Sequence, residues 1–153
     1  MRRLGSWMLA MGVAACGGDG TGPEIEIPAE LVGTWVAAPA CAPACGFTFA
    51  NRADAADTTN FTALGVTSRF TLNATGGFTF NAGVPSTVPI GGRMHVAGSM
   101  LVVEATGEFE EERIAYALSG DLLALTWQET YAFDLDDDGT AEAVEVRGHF
   151  EKQ

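Results

Sequence analysis

From residue 66 onward polar and apolar residues alternate in short runs divided by tight-turn signals, and that rhythm commits the chain to antiparallel sheet. In a strand every second side chain shares a face, so paired runs must match face to face. In 69–80 a turn around Ala74 to Gly76 sets Leu72 against Phe78 and Phe70 against Phe80. Thr71 and Thr79 then meet on the opposite face. Two further hairpins repeat each other, with Gly98-Ser99 and Gly120-Asp121 suiting the Gly-X turn of type II′. In that register Val96 pairs with Leu101 and Met94 with Val103. Leu118 likewise pairs with Leu123, Tyr116 with Leu125 and Ile114 with Trp127. The last strand carries Val144, Val146 and Phe150 on one face, with Glu145, Arg147, His149 and Glu151 on the other.

An early strand around Leu31 to Ala38 completes eight, spanning roughly 31–38, 66–73, 77–82, 92–97, 100–106, 112–119, 122–134 and 142–151. Sequence neighbours join by short turns, so the fold class is all-β and the topology a meander. A meander this long buries one face and must protect its edges. An eight-stranded antiparallel up-and-down barrel meets both demands. The Ala- and Asp-rich segment 39–65, which includes Gly46-Phe47-Thr48-Phe49, is expected to hold an extra strand or a short helix and to cap one barrel end.

Leu31-Val32-Gly33-Thr34-Trp35 resembles the Gly-X-Trp element that opens the first barrel strand of lipocalins and their bacterial lipocalin-like relatives. The family's Thr-Asp-Tyr turn is absent, which favours the looser lipocalin-like grouping. The resemblance implies that Trp35 closes the barrel floor beneath a basic side chain from the last strand, with Arg147 in the matching place. It also implies an interior that can hold a small apolar molecule. Inward residues for such a pocket are Trp35, Phe70, Phe78, Phe80, Met94, Tyr116, Trp127, Tyr131 and Phe133. The same rings could instead fill the core, since eight-stranded barrels are often solid. Alternation adds Glu129 to the inner face, where a carboxylate needs a partner such as Arg69, Arg113 or a ligand's polar group. A bulge would turn it outward.

The run 134–140 (Asp-Leu-Asp-Asp-Asp-Gly-Thr) matches the start of a D-x-D-x-D-G calcium loop. Asp134, Asp136, Asp138 and Thr140 supply hard oxygen ligands, joined by Glu142 or by Glu145 at the twelfth position. The flanking segments read as strands, so calcium would sit in a hairpin loop rather than in an EF-hand. The alternative is an ordinary solvated Asp-Gly turn. Glu108 to Glu112 reads as a solvated acidic loop entering the strand at Arg113.

The N-terminus sets the address. Arg2 and Arg3 precede a short apolar stretch ending in Val13-Ala14-Ala15-Cys16, the layout of a cleaved secretory signal. It resembles the lipobox of bacterial lipoproteins, in which the cysteine is lipidated. That resemblance implies a signal peptide at 1–15, a lipidated Cys16 with a flexible tether through 30, and a barrel domain at 31–153. Gly17 after the cysteine resembles lipoproteins sent to the outer membrane, at its periplasmic face or at the cell surface. Cys41 and Cys45 would form a local disulfide in an oxidising export compartment; a zinc pair completed by His95 and His149 is the competitor.

Twenty acids against eight bases, two of which leave with the signal, disfavour nucleic-acid and anionic-lipid partners. Membrane contact therefore falls to the lipid. No Gly-X-Ser-X-Gly elbow or phosphate-cradling glycine loop is present, and His95 and His149 lie on polar strand faces. The expectation is a non-enzymatic envelope lipoprotein that binds or shields a small apolar ligand. The alternative is a solid envelope module contacting a protein partner.

Overall fold

The computed structural model describes residues 26–38, 46–83, 89–104 and 111–153, and every regular element in them is a strand. They are β1 (Gly33–Ala37), β2 (Gly46–Asn51), β3 (Thr58–Asn60), β4 (Arg69–Leu72), β5 (Gly77–Asn81) and β6 (Ile90–Ala97). β7 (Met100–Val103), β8 (Glu112–Ser119), β9 (Leu122–Trp127), β10 (Tyr131–Phe133) and β11 (Glu142–Lys152) follow.

These strands make a closed antiparallel barrel of eight staves, three of them broken. β1 and β2 run in line along one edge of β11, with Ala37 opposite Phe150 and Gly46 opposite His149. β3 and β4 run in line against β2 and β1. β9 and β10 run in line along the other edge of β11. β5, β6, β7, β8 and β11 are single staves, and the pairing of β1 with both β4 and β11 closes the ring. Stave by stave the path is the expected meander, with no edge left along the closing seam.

The hairpin registers agree with the alternation pair for pair, from Phe70–Phe80 through Met94–Val103 to Ile114–Trp127. Gly98 and Gly120 take φ of 63° and 60° while Ser99 and Asp121 keep negative φ, which is the type II′ pattern. Two expectations need correction. Residues 46–60 do not cap the barrel; they extend its wall, because Phe47 and Phe49 alternate inward beside Gly148 and Val146. The 122–134 strand is broken as well. Thr126 pairs with Arg147 and Tyr131 with Val144, so two extra residues bulge out between them.

One end of the barrel is solid. The turns at 73–76, 98–99 and 120–121 gather there, and the N-terminal segment enters with Ile27 donating to the Ala74 carbonyl. Ile27, Leu31, Trp35, Leu72, Leu101, Leu123 and Phe150 are all sealed from solvent. Each such side chain contributes about 1.5–3 kcal/mol relative to exposure. Trp35 keeps its indole N–H satisfied by donating to the Leu31 carbonyl at 2.9 Å. Gly148 leaves the inward space occupied by the Phe150 ring, whose Cε2 would lie 2.2 Å from an added Cβ.

The cation over Trp35 is Lys152, not Arg147. Its Nζ sits 5.1 Å from the ring centroid and donates to the Glu30 carbonyl at 2.9 Å. Parity explains the exchange: Arg147 shares the outer face with Glu145 and is held there by it at 2.7 Å. Outward positions carry Thr71, Thr79, Arg113, Glu145, Arg147 and Glu151, the reverse of the apolar outer band of a membrane-spanning barrel.

Candidate functional site

The other end of the barrel is hollow. A cavity of about 630 Å³ opens there, within the usual range for small-molecule pockets. Phe70, Phe78, Met94, Ile114, Leu125 and Trp127 form its deeper wall, while Ile90, Tyr131 and Phe133 stand nearer the rim. The interior is thus neither wholly filled nor wholly empty.

An aromatic network bounds the cavity on one side. Phe47 meets Phe80 at 5.6 Å, Trp127 at 5.9 Å and Phe49 at 5.5 Å between ring centroids. Phe80 also meets Trp127 at 5.6 Å, and Phe49 meets Phe133 at 5.0 Å edge-on. Most of these contacts are edge-to-face, a geometry that holds rings in place beyond the gain from burial alone. Such a wall is set before any ligand arrives.

Space is kept on β6 by Gly92, which shares the inner face with Met94. Gly91 and Gly92 pair with Thr79 and Phe78 on β5, and a Cβ on Gly92 would come 3.2 Å from the Phe78 ring. A larger side chain at 92 would project into the cavity beside Met94.

Of the residues expected to line a pocket, Phe70, Phe78, Phe80, Met94, Trp127, Glu129, Tyr131 and Phe133 surround this cavity. Trp35 packs beneath it in the solid end. Tyr116 lies partly buried on the same face of β8, its hydroxyl turned to the Gly98 carbonyl at 3.4 Å. Phe47, Phe49 and Glu112 are additions. The first two were legible in Gly46-Phe47-Thr48-Phe49, which has the same alternation as Phe78-Thr79-Phe80.

The carboxylates at the rim also depart from expectation. Glu129 lies exposed in the bulge between β9 and β10 and reaches the cavity mouth from there. Arg113 is not its partner: the guanidinium donates to Glu111 at 2.9 and 3.1 Å. Glu112 does not belong to a solvated loop. It opens β8 on the same face as Ile114 and pairs with Val103, so it too lines the cavity. Burial, helped by the nearby charge of Glu129, pushes its carboxyl above the ordinary carboxylate range.

In the acidic hairpin loop Asp134, Asp136, Asp138 and Glu142 bring carboxylate oxygens within 4.8 Å of one another. Several of these oxygens already accept backbone N–H groups. Asp134 takes Gly139 at 2.8 Å, Asp138 takes Thr140 at 2.7 Å and Glu142 takes Leu135 at 2.8 Å. Thr140 contributes that N–H. Glu145 lies apart from these four carboxylates, on the outer face of β11 with Arg147, which holds its carboxyl below the usual range. Asp137 adopts φ of 62° to make the bend.

His95 and His149 stand on the outer wall, away from the cavity. His95 faces Glu104 at 4.0 Å, while burial and Arg147 lower the pKa of His149. Cys16, Cys41 and Cys45 lie outside the described residues, as do the signal segment and most of the tether. Compared with protein-family models, curated proteins and solved structures, the chain matches none of them.

Proposed function

We propose that this protein is a lipid-anchored, non-enzymatic, lipocalin-like envelope protein that binds or shields a small apolar ligand. The observation that carries the reading is the apolar cavity at one end of an otherwise solid barrel. A purely structural module gains nothing from leaving that space open, because unfilled apolar volume lowers stability. The outward placement of both histidines fits a binding role. The anchor rests on the lipobox-like Val13-Ala14-Ala15-Cys16 and the outer-membrane address on Gly17. The chain enters the barrel at the solid end, opposite the cavity mouth.

Native mass spectrometry of the purified chain, paired with fluorescence of the neutral apolar probe N-phenyl-1-naphthylamine, tests the binding role. A co-purifying small molecule, or saturable probe binding displaced by apolar compounds, is expected. A clean mass with no saturable binding would favour the solid-module alternative. The anchor is tested separately: Cys16→Ser should leave the protein unprocessed or free of membranes. Retention of the substituted protein on membranes after a high-salt wash would refute it.

A calcium role for the hairpin loop belongs to the same reading and is supported by the D-x-D-x-D-G spacing and the convergence of Glu142 on it. A site of extracellular type has a Kd of about 10⁻⁴–10⁻³ M. Millimolar calcium should raise the Tm by a few degrees relative to chelator, and Asp136→Asn/Asp138→Asn should abolish the rise. Equal shifts in both proteins would leave an ordinary acidic turn.

A further inference from the structure

The proposed ligand reading leaves the head group open, and the cavity rim bears on it. Alternation along β8 puts Glu112 on the inner face, in register with Val103 and one step above Ile114. Glu129 arrives at the same cavity from the bulge after Trp127. The third acid, Glu111, is occupied by Arg113. No lysine, arginine or histidine is among the described residues that line the cavity. Of the connections at this end, 134–141 carries four aspartates and no base, while Arg52, in the turn after β2, is not among the residues that line the cavity.

Two unneutralised carboxylates above a wall of rings discriminate between amphiphiles of one length. A fatty acid would bring a third negative charge against Glu112 and Glu129, in a setting already costly for ionised carboxyls. A neutral alcohol gains the apolar contact alone. A cationic amine gains both, since its ammonium meets the carboxylates in a cavity also lined by the rings of Trp127 and Tyr131.

We propose that the cavity binds an apolar molecule bearing a cationic amine, with its apolar part against Phe78, Met94 and Trp127 and its ammonium between Glu112 and Glu129. This rests on the apolar-ligand reading and adds a head-group class to it. The ligand is thereby distinguished from the fatty-acid anions that a purely apolar pocket with a basic rim would select.

The test displaces N-phenyl-1-naphthylamine from the purified full chain with dodecylamine, dodecanol and dodecanoate, each below its micellar concentration. Dodecylamine should bind on the order of tenfold more tightly than dodecanol, with dodecanoate weakest, and added salt should narrow the spread. Glu112→Gln/Glu129→Gln should erase the spread among the three head groups. Glu129→Gln alone, at an exposed position, should give an intermediate preference. Dodecanoate binding as well as dodecylamine, or a preference that survives in a folded double variant, would overturn the head-group assignment alone. If neither the probe nor dodecanol binds, the apolar-ligand reading falls and this assignment with it.

Discussion

The two ends of the barrel are built from the same alternation and differ in what the inner face carries. At the solid end the inward positions hold Trp35, Leu72, Leu101, Leu123 and Phe150, and the N-terminal segment drives Ile27 and Leu31 between them. At the hollow end the corresponding positions include Gly92, Glu112 and rim rings that are only partly buried. Strand pairing closes both ends equally well. The difference shows that a barrel's stability and its binding capacity can be assigned to separate ends, because hydrogen-bonded staves tolerate missing volume where interlocked side chains do not.

The sharpest test of that division is Trp35→Ala. It should cost about 3–5 kcal/mol in denaturant unfolding, since it removes a sealed ring and leaves a void in a wall that cannot collapse. Tyr131→Ala at the mouth should cost under about 2 kcal/mol, as the ring is only partly buried. Comparable losses at both sites would break the contrast.

Filling the hollow end should do the opposite. Gly92→Leu should weaken apolar-probe binding by about tenfold or more, equivalent to about 1.4 kcal/mol, while the protein stays folded. A variant that binds normally would show that position 92 does not set the cavity's volume.

The cation over the floor is a smaller lever. Lys152→Met removes the contact with Trp35 and the bond to the Glu30 carbonyl, and should cost about 1 kcal/mol. Arg147→Ala should stay within about 0.5 kcal/mol, because its ion pair with Glu145 is exposed. The reverse order would restore Arg147 to the role implied by the family resemblance.

The smallest effect expected is electrostatic. The carboxyl of Glu112 is raised in the folded state, so the folded form keeps its proton above pH 4.5 while the unfolded form loses it. Its contribution is complete below that pH and is lost as pH rises through the folded value. Glu112→Gln should therefore stabilise the protein near neutral pH by under about 1 kcal/mol, after solvent screening, and flatten that part of the profile. His149 acts with the opposite sign: its lowered pKa costs stability as pH falls below 6.5. Melting across pH 4–8 for native, Glu112→Gln and His149→Gln chains separates the two slopes.

Much of the molecule is legible without coordinates. Period-two alternation and the Gly-X turns determine the all-β class, the hairpin registers and which rings face inward, because these depend on neighbours within a dozen or so residues. The inward place of Trp35 is implied by the resemblance of Gly33-Thr34-Trp35 to the Gly-X-Trp element, and the ring is buried. Tertiary structure decided what depends on residues distant in sequence. The pairing of β2 with β11 turned an expected cap into wall, since Phe47 and Phe49 find their partners about a hundred residues away. Lys152 rather than Arg147 covers Trp35, because the parity of the last strand turns one inward over the floor and the other out to Glu145. Glu142 rather than Glu145 joins the aspartates for the same reason. Whether the barrel is solid or hollow is a matter of volume summed across opposite walls. A one-dimensional pattern reports which side chains point inward, but not whether they meet in the middle.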